Sequence, residues 1–93
     1  MIKVYIGKGV VEIKGHSGYA EMGKDIVCAG VSALFYAFSG YLEEKECLTF
    51  EKSEAGRAVI MFTDEGKEGL LMFTEGVNRI AKAYPKFVKV INK

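Results

Sequence analysis

The feature that most restricts the fold is a nearly continuous apolar stretch at residues 26–38, which only Gly30 and Ser32 interrupt. It is too long and too rich in alanine for a strand, and Asp25 before it is a favourable N-cap, so we predict a helix to about Tyr41. The stretch is shorter than the ~20 residues that span a bilayer. Because this helix is apolar nearly all round, we expect a sheet to cover one side and a second subunit another.

Segments in which apolar residues alternate surround this helix and predict strands. Residues 2–6 and 11–13 flank a turn at 7–9, residues 47–52 and 58–62 flank a turn at 53–56, and residues 87–91 form a last strand. A second helix begins after Thr63 or Asp64 and ends at Pro85, with Leu70, Phe73, Val77, Ile80, Ala81 and Tyr84 on one stripe. The order β-β-α-β-β-α-β predicts an α+β fold, a single domain over residues 1–93 with two helices packed on a mainly antiparallel sheet.

Composition excludes several classes of protein. The chain has 93 residues, of which 49% are hydrophobic, so it is long enough for one core and too apolar to be disordered. Its net charge of +1 lacks the footprint of a dedicated nucleic-acid binder. The N-terminus does not have the pattern of a secretion signal, and we expect a cytoplasmic protein. Cys28 and Cys47 form no C-x-x-C pair and the chain has one histidine, so we expect free thiols and neither a metal nor a cofactor.

Cys28 and His16 are the residues with the ingredients of covalent catalysis. A thiolate is favoured by a nearby imidazolium and by a helix N-terminus, and Cys28 falls at the third helical position. Unpaired N–H groups there can form an oxyanion hole, and an imidazole exchanges protons near neutral pH. The loop from Ser17 to Lys24 contains Gly18 and Gly23, and we expect it to stay mobile until a ligand binds. Taken singly, however, each residue has a plainer interpretation: a buried thiol, a surface histidine, and Asp25 as a cap only.

An alternative is a non-enzymatic module associated with the ribosome or RNA. In that case Lys3, Lys8, Lys14 and Lys24 form a local basic patch around the first hairpin, and Tyr5 or Tyr19 stacks on a base. Binding driven by phosphate contacts weakens steeply with salt, whereas thiol-dependent cleavage requires Cys28.

The residues Gly15-His16, a loop, and then the run from Gly23 through Asp25-Ile26-Val27-Cys28-Ala29 to Leu34 resemble the signature of the Prp family of ribosomal-processing cysteine proteases. The resemblance implies an endopeptidase that removes the N-terminal extension from the precursor of large-subunit ribosomal protein twenty-seven (bL27). It also implies Cys28 as nucleophile, His16 as base, a homodimer, and no required nucleic acid. Asp25 is a supporting residue, and Ser17, Gly18, Tyr19 and Gly23 are expected in the substrate-binding loop.

Overall fold

Five strands form one sheet and two helices cover one of its faces in a computed structural model that describes residues 1–21 and 23–93. The elements are β1 (Ile2–Gly7), β2 (Val10–Lys14), α1 (Ile26–Glu44), β3 (Leu48–Glu54), β4 (Arg57–Phe62), a 3-10 turn (Asp64–Gly66), α2 (Lys67–Ala83) and β5 (Val88–Asn92). The predicted order β-β-α-β-β-α-β is confirmed.

The sheet has the strand order β3-β4-β2-β1-β5 and is mixed. The hairpin pairs β1–β2 and β3–β4 are antiparallel, β2 and β4 also pair antiparallel, and β1 and β5 are parallel. The parallel pair arises because α2 connects β4 to β5, and a helix crossover returns the chain in the direction of the strand before it. Since β4 and β1 are both antiparallel to β2, β5 also runs in the direction of β1. The sheet is therefore mainly antiparallel, as predicted, with a parallel edge that hairpin signals do not reveal.

The core lies between the sheet and the helices. Val4, Val11 and Ile60 from neighbouring strands are fully buried. Phe38 of α1 stacks on Phe73 of α2 at 5.4 Å between ring centroids and meets Phe62 of β4 edge-on at 5.1 Å. Both helices thus anchor the same aromatic cluster, as offset and edge-to-face ring contacts favour. The predicted stripe on α2 is confirmed, because its residues are buried or pack against this core.

Glycines on α2 let the two helices approach closely. A Cβ on Gly76 would lie 2.8 Å from Leu34 Cδ1, and one on Gly69 would lie 2.4 Å from Tyr41 Cδ2. Real Cβ atoms are excluded from such distances, so the large side chains of α1 occupy the space that these glycines leave.

Helix α1 extends to Glu44, beyond the predicted end near Tyr41. By length and composition alone this 19-residue helix, with a mean hydropathy of 1.4, would suffice to cross a membrane, which corrects the expectation from residues 26–38 that the apolar stretch is too short. Core helices of globular proteins share this composition, and α1 buries Val27, Val31, Phe35 and Phe38 in the core. Packing in the core therefore accounts for one side of this apolar helix, while Ile26 and Tyr36 on its other sides are exposed.

The start of α2 differs from the prediction in detail. A 3-10 turn, Asp64–Gly66, precedes the α-helix, and neither Thr63 nor Gly66 caps a backbone N–H through a side chain. The Thr63 hydroxyl donates instead to the Glu65 carboxylate. Such short 3-10 turns are common at helix ends.

We expect Phe73→Ala to destabilise the fold by about 3–5 kcal/mol, because it removes a ring from the centre of the aromatic cluster and leaves a cavity. Asn78→Ala is the matched control on the same helix, since Asn78 is exposed and polar and its loss should change stability by less than about 0.5 kcal/mol. Urea unfolding of both variants measures the difference. Equal effects would contradict the packing described here.

Candidate active site

Cys28 lies in the first turn of α1, where Asp25 caps the helix. Asp25 Oδ1 accepts hydrogen bonds from the backbone N–H groups of Val27 at 3.0 Å and Cys28 at 2.9 Å. The thiol is half-buried. The fold therefore places the sulfur at a helix N-terminus, the end of a helix that favours negative charge.

The cap also changes one expectation from the sequence. The N–H groups of Val27 and Cys28 are not free to form an oxyanion hole in this structure, because Asp25 occupies both. The next N–H, that of Ala29, donates to the Asp25 carbonyl at 3.1 Å. The backbone N–H group that does point at the sulfur belongs to another segment and comes from Ser17, the residue that follows His16.

Ser17 is buried to 3% exposure. Its backbone N–H lies 3.3 Å from Cys28 Sγ, and its hydroxyl donates to Asp25 Oδ2. The same hydroxyl oxygen accepts the Tyr19 N–H at 3.1 Å. Ser17 therefore ties the segment after β2 to the start of α1 and supplies a hydrogen bond that can stabilise charge on the sulfur.

His16 is held against the β3–β4 turn. The N–H of Gly15 donates to the Gly56 carbonyl at 2.8 Å, and a Cβ on Gly56 would lie only 3.3 Å from His16 Nε2. Gly15 itself has φ +90°, and a Cβ there would lie 2.4 Å from the Met1 carbonyl oxygen. Glycine is therefore needed at both positions to bring the imidazole to this place.

His16 and Cys28 line one cavity of about 190 Å³. Ile13, Val31 and Phe35 give it an apolar part, and Glu54 and Arg57 contribute charged groups. The remaining residues that line the cavity are Ile2, Gly15, Ser32, Tyr36, Ser53, Gly56 and Ala58. A thiol and an imidazole beside one opening are the two kinds of group that covalent cleavage by a cysteine uses.

Comparison with known proteins identifies the family of this chain. The family model described as "Cysteine protease Prp" matches residues 1–89. The chain belongs to the Prp cysteine protease family. A relative from Mycoplasma genitalium, named ribosomal processing cysteine protease Prp, is 30% identical over 96 residues, which cover 100% of this chain and 96% of that protein.

Solved structures show the same fold. The ribosomal processing protease Prp from Staphylococcus aureus, crystallised with a covalently linked product peptide, superposes with a TM-score of 0.91 at 24% identity over 100% of both chains. SMU.848 from Streptococcus mutans gives a TM-score of 0.76 at 25% identity over 100% of this chain and 96% of that one. The family, the fold and the cysteine protease class expected from the sequence are thus confirmed.

Two residues of the expected substrate-binding loop, Ser17 and Tyr19, contact other parts of the protein. Ser17 is buried on Asp25, so its side chain faces the helix cap. Tyr19 is 42% exposed and packs edge-on against Tyr84 at 5.5 Å and Phe87 at 5.4 Å. Gly18 and Gly23 have φ of +74° and +87°, with open space around them, and Met22 lies outside the described residues. Ligand-dependent mobility of this loop stays a prediction.

Some residues of the site carry no recognisable sequence signal. Gly56 reads as an ordinary turn glycine, and only the pairing of β2 with β4 brings it under His16.

Among the described residues no hydrogen bond joins Asp25 to His16, and no group of three or more potential metal ligands comes together. Cys47, the second thiol, is 3% exposed and lies 3.6 Å from the Leu42 carbonyl oxygen.

The Asp25 carboxyl is strongly acidic. The Ser17 hydroxyl lowers its pKa most, burial acts in the opposite direction, and the N–H groups of Cys28 and Ala20 and the Cys28 thiol lower it further, to about 2 from 3.8. Because the folded-state pKa is depressed, the stabilisation is present above the unfolded value and is lost as the pH falls through the folded one. The relevant window lies between 3.8 and about 2.

We expect Ser17→Ala to raise the pKa of Asp25 toward 3.8, because it removes the strongest stabilising partner of the carboxylate. Carboxyl-carbon NMR titration measures this. Glu65 is the internal control, since the Thr63 hydroxyl lowers its pKa independently of Ser17. The stability difference between wild type and variant should be constant near neutral pH and shrink in acid through the window given above. An Asp25 titration unaffected by the substitution would disprove the link.

Proposed function

We propose that this chain is a ribosomal-processing cysteine endopeptidase in which Cys28 is the nucleophile and His16 the base. The observation that carries the proposal is the cavity that both side chains line, with the sulfur at a helix N-terminus. Membership of a cysteine protease family makes a thiol nucleophile the expected chemistry. The second thiol, Cys47, is a poor alternative because it is buried in the core.

The reaction follows from these two groups. His16 accepts the thiol proton as Cys28 Sγ attacks the carbonyl carbon of the scissile bond. His16 returns the proton to the leaving amine, the C–N bond breaks, and a thioester remains on Cys28. Water then gives a proton to His16 and attacks the thioester, which releases the second product as a carboxylic acid and restores the thiol. The Ser17 N–H stabilises charge on the sulfur at the start and end of the cycle.

The proposed substrate is the precursor of large-subunit ribosomal protein twenty-seven, from which the enzyme removes an N-terminal extension. Two relatives support this class of substrate, because their names describe ribosomal processing and one was crystallised with a product peptide. The cavity suits an extended peptide, since it combines an apolar part formed by Val31 and Phe35 with the charged side chains of Glu54 and Arg57.

The proposal includes a cytoplasmic homodimer that acts without a cofactor or required nucleic acid. The helix layer carries exposed apolar side chains that fit contact with a second copy, among them Leu71 at 63% and Met72 at 68% exposure. Ala37 and Met72 line a shallow apolar cleft between α1 and α2, which extends this surface onto α1.

We expect Cys28→Ala to abolish cleavage of the extended ribosomal precursor and His16→Ala to slow it roughly 100- to 10,000-fold, because nucleophile and base are lost respectively. Cys47→Ala is the matched thiol control and should cleave at a rate close to wild type. Mass spectrometry of the products measures all three. Normal cleavage by the Cys28 or His16 variant would contradict the assignment.

Alkylation separates a wrong nucleophile from a wrong substrate. Iodoacetamide should modify Cys28 before Cys47, because Cys28 is half-buried beside a cavity and Cys47 is 3% exposed. If the order holds but the precursor is not cleaved, the substrate is wrong; the reverse order would argue that Cys28 is an inert core thiol.

We expect Met72→Glu to convert the dimer to a monomer, because it places a charge in the proposed apolar interface. Phe50→Glu is the matched control, since Phe50 is 47% exposed on the opposite face of the sheet. Sedimentation velocity distinguishes the two species. A monomeric wild type, or equal dissociation by both variants, would contradict this interface.

A further inference from the structure

The face of the sheet that points away from the helices is uncovered in the part of the chain that the structure describes. Side chains on each strand alternate between the core and this open face, so Val4 is buried while Lys3 is exposed and Tyr5 half-buried. The open face ends, at one edge, beside the cavity that holds His16, because β2 leads directly into Gly15 and His16.

Four cations lie side by side across this face. Lys3 of β1 pairs with Lys89 of β5 on one side and with Lys14 of β2 on the other, and Lys14 pairs with Arg57 of β4. Cross-strand partners point to the same face, and neighbouring strands are ~4.8 Å apart, so this cationic row is about 14 Å long. Like charges directly opposite one another destabilise a sheet, so the row is costly for folding alone.

Carboxylates neutralise only one end of the cationic row. Glu12 Oε2 lies 2.8 Å from both Arg57 Nε and Arg57 Nη2 and 3.9 Å from Lys14 Nζ. Glu54 is the register partner of Arg57 on the other side. Among the described residues no carboxylate lies within 4.0 Å of the ammonium groups of Lys3 or Lys89. The positive charge at that end is available to a ligand.

An aromatic ring lies next to the cationic row. Tyr5 follows Lys3 by two residues on the same face, with Lys14 Nζ 5.6 Å and Lys93 Nζ 5.0 Å from its ring centroid. Lysine ammonium groups sit on flexible stems, so they can move from the ring to a nearby phosphate. Proteins that hold single-stranded nucleic acid combine a basic track with aromatic side chains on which bases stack.

We infer that the open face, through the cationic row and Tyr5, binds single-stranded RNA. The basic patch considered from the sequence is thereby changed: Lys3, Lys14 and Tyr5 share this face, and Lys89 and Arg57, from distant segments, complete it. Arg57 also lines the cavity of His16 and Cys28, so bound RNA and bound peptide would lie at adjacent edges. RNA binding needs neither thiol nor imidazole and does not depend on the proposed protease reaction.

The experiment uses the full chain and a fluorescein-labelled oligouridylate, with binding followed by fluorescence anisotropy. If about three or four phosphates are contacted, affinity should fall roughly 20- to 50-fold between about 50 and about 200 mM salt. Lys3→Gln combined with Lys89→Gln should weaken binding at least about tenfold at the lower salt and make the salt dependence shallower. Tyr5→Leu should weaken binding roughly fivefold or more and leave the salt dependence unchanged.

The matched control is Lys67→Gln combined with Lys82→Gln, which removes the same charge from exposed positions on α2. It should bind RNA like the wild type, and the Lys3/Lys89 double variant should cleave a short peptide at the wild-type rate. Equal weakening by both pairs would reduce the effect to net charge and overturn the proposal. Absence of RNA binding would also overturn it, as would binding to phosphatidylserine vesicles that depends on the row but not on Tyr5.

Discussion

The carboxylate of Asp25 holds together the segments on which the candidate site depends. One oxygen caps α1 through the N–H groups of Val27 and Cys28, and the other accepts the Ser17 hydroxyl. The residue after His16 is therefore bound to the helix start that carries Cys28, and the Ser17 N–H reaches the sulfur. A helix cap, usually a local device, here joins two segments separated by the loop at 18–24.

The two faces of the sheet have different uses because the strands alternate. Apolar side chains on one face pack under α1 and α2, where glycines on α2 admit Leu34 and Tyr41 from the facing helix. The open face is free of packing constraints, so it tolerates cations that would be excluded from the core. The site lies at the ends of two central strands, where β2 ends, β4 begins and α1 starts.

The cavity lies next to the open face of the sheet, and this position matters for a processing enzyme. The cavity of His16 and Cys28 and the cationic row share Arg57, so a ligand on the open face would be held close to the proposed nucleophile. Two weak contacts on one target raise its effective concentration at each site. A ribosomal-protein precursor already associated with RNA would meet both surfaces at once, which would help a small protease select it over other peptides.

Most elements of the fold could be predicted from the sequence, because their signals are local. Alternation located the strands, the cap Asp25 and the long apolar stretch after it located α1, and the Asp25-to-Cys28 spacing placed the thiol in the first turn. The predicted end of α1 was too early, and the 3-10 turn before α2 was missed, since helix ends depend on packing and capping as much as on propensity.

The amino-acid order by itself determined which residues are helical or extended, which side chains are apolar, and that one thiol follows a capping carboxylate. Only the tertiary structure decided that β5 runs parallel to β1, that Gly56 lies under His16, and that Lys89, Lys3, Lys14 and Arg57 form one row. These are register relationships between segments far apart in the chain. No local pattern encodes them, because they result from how the whole core closes.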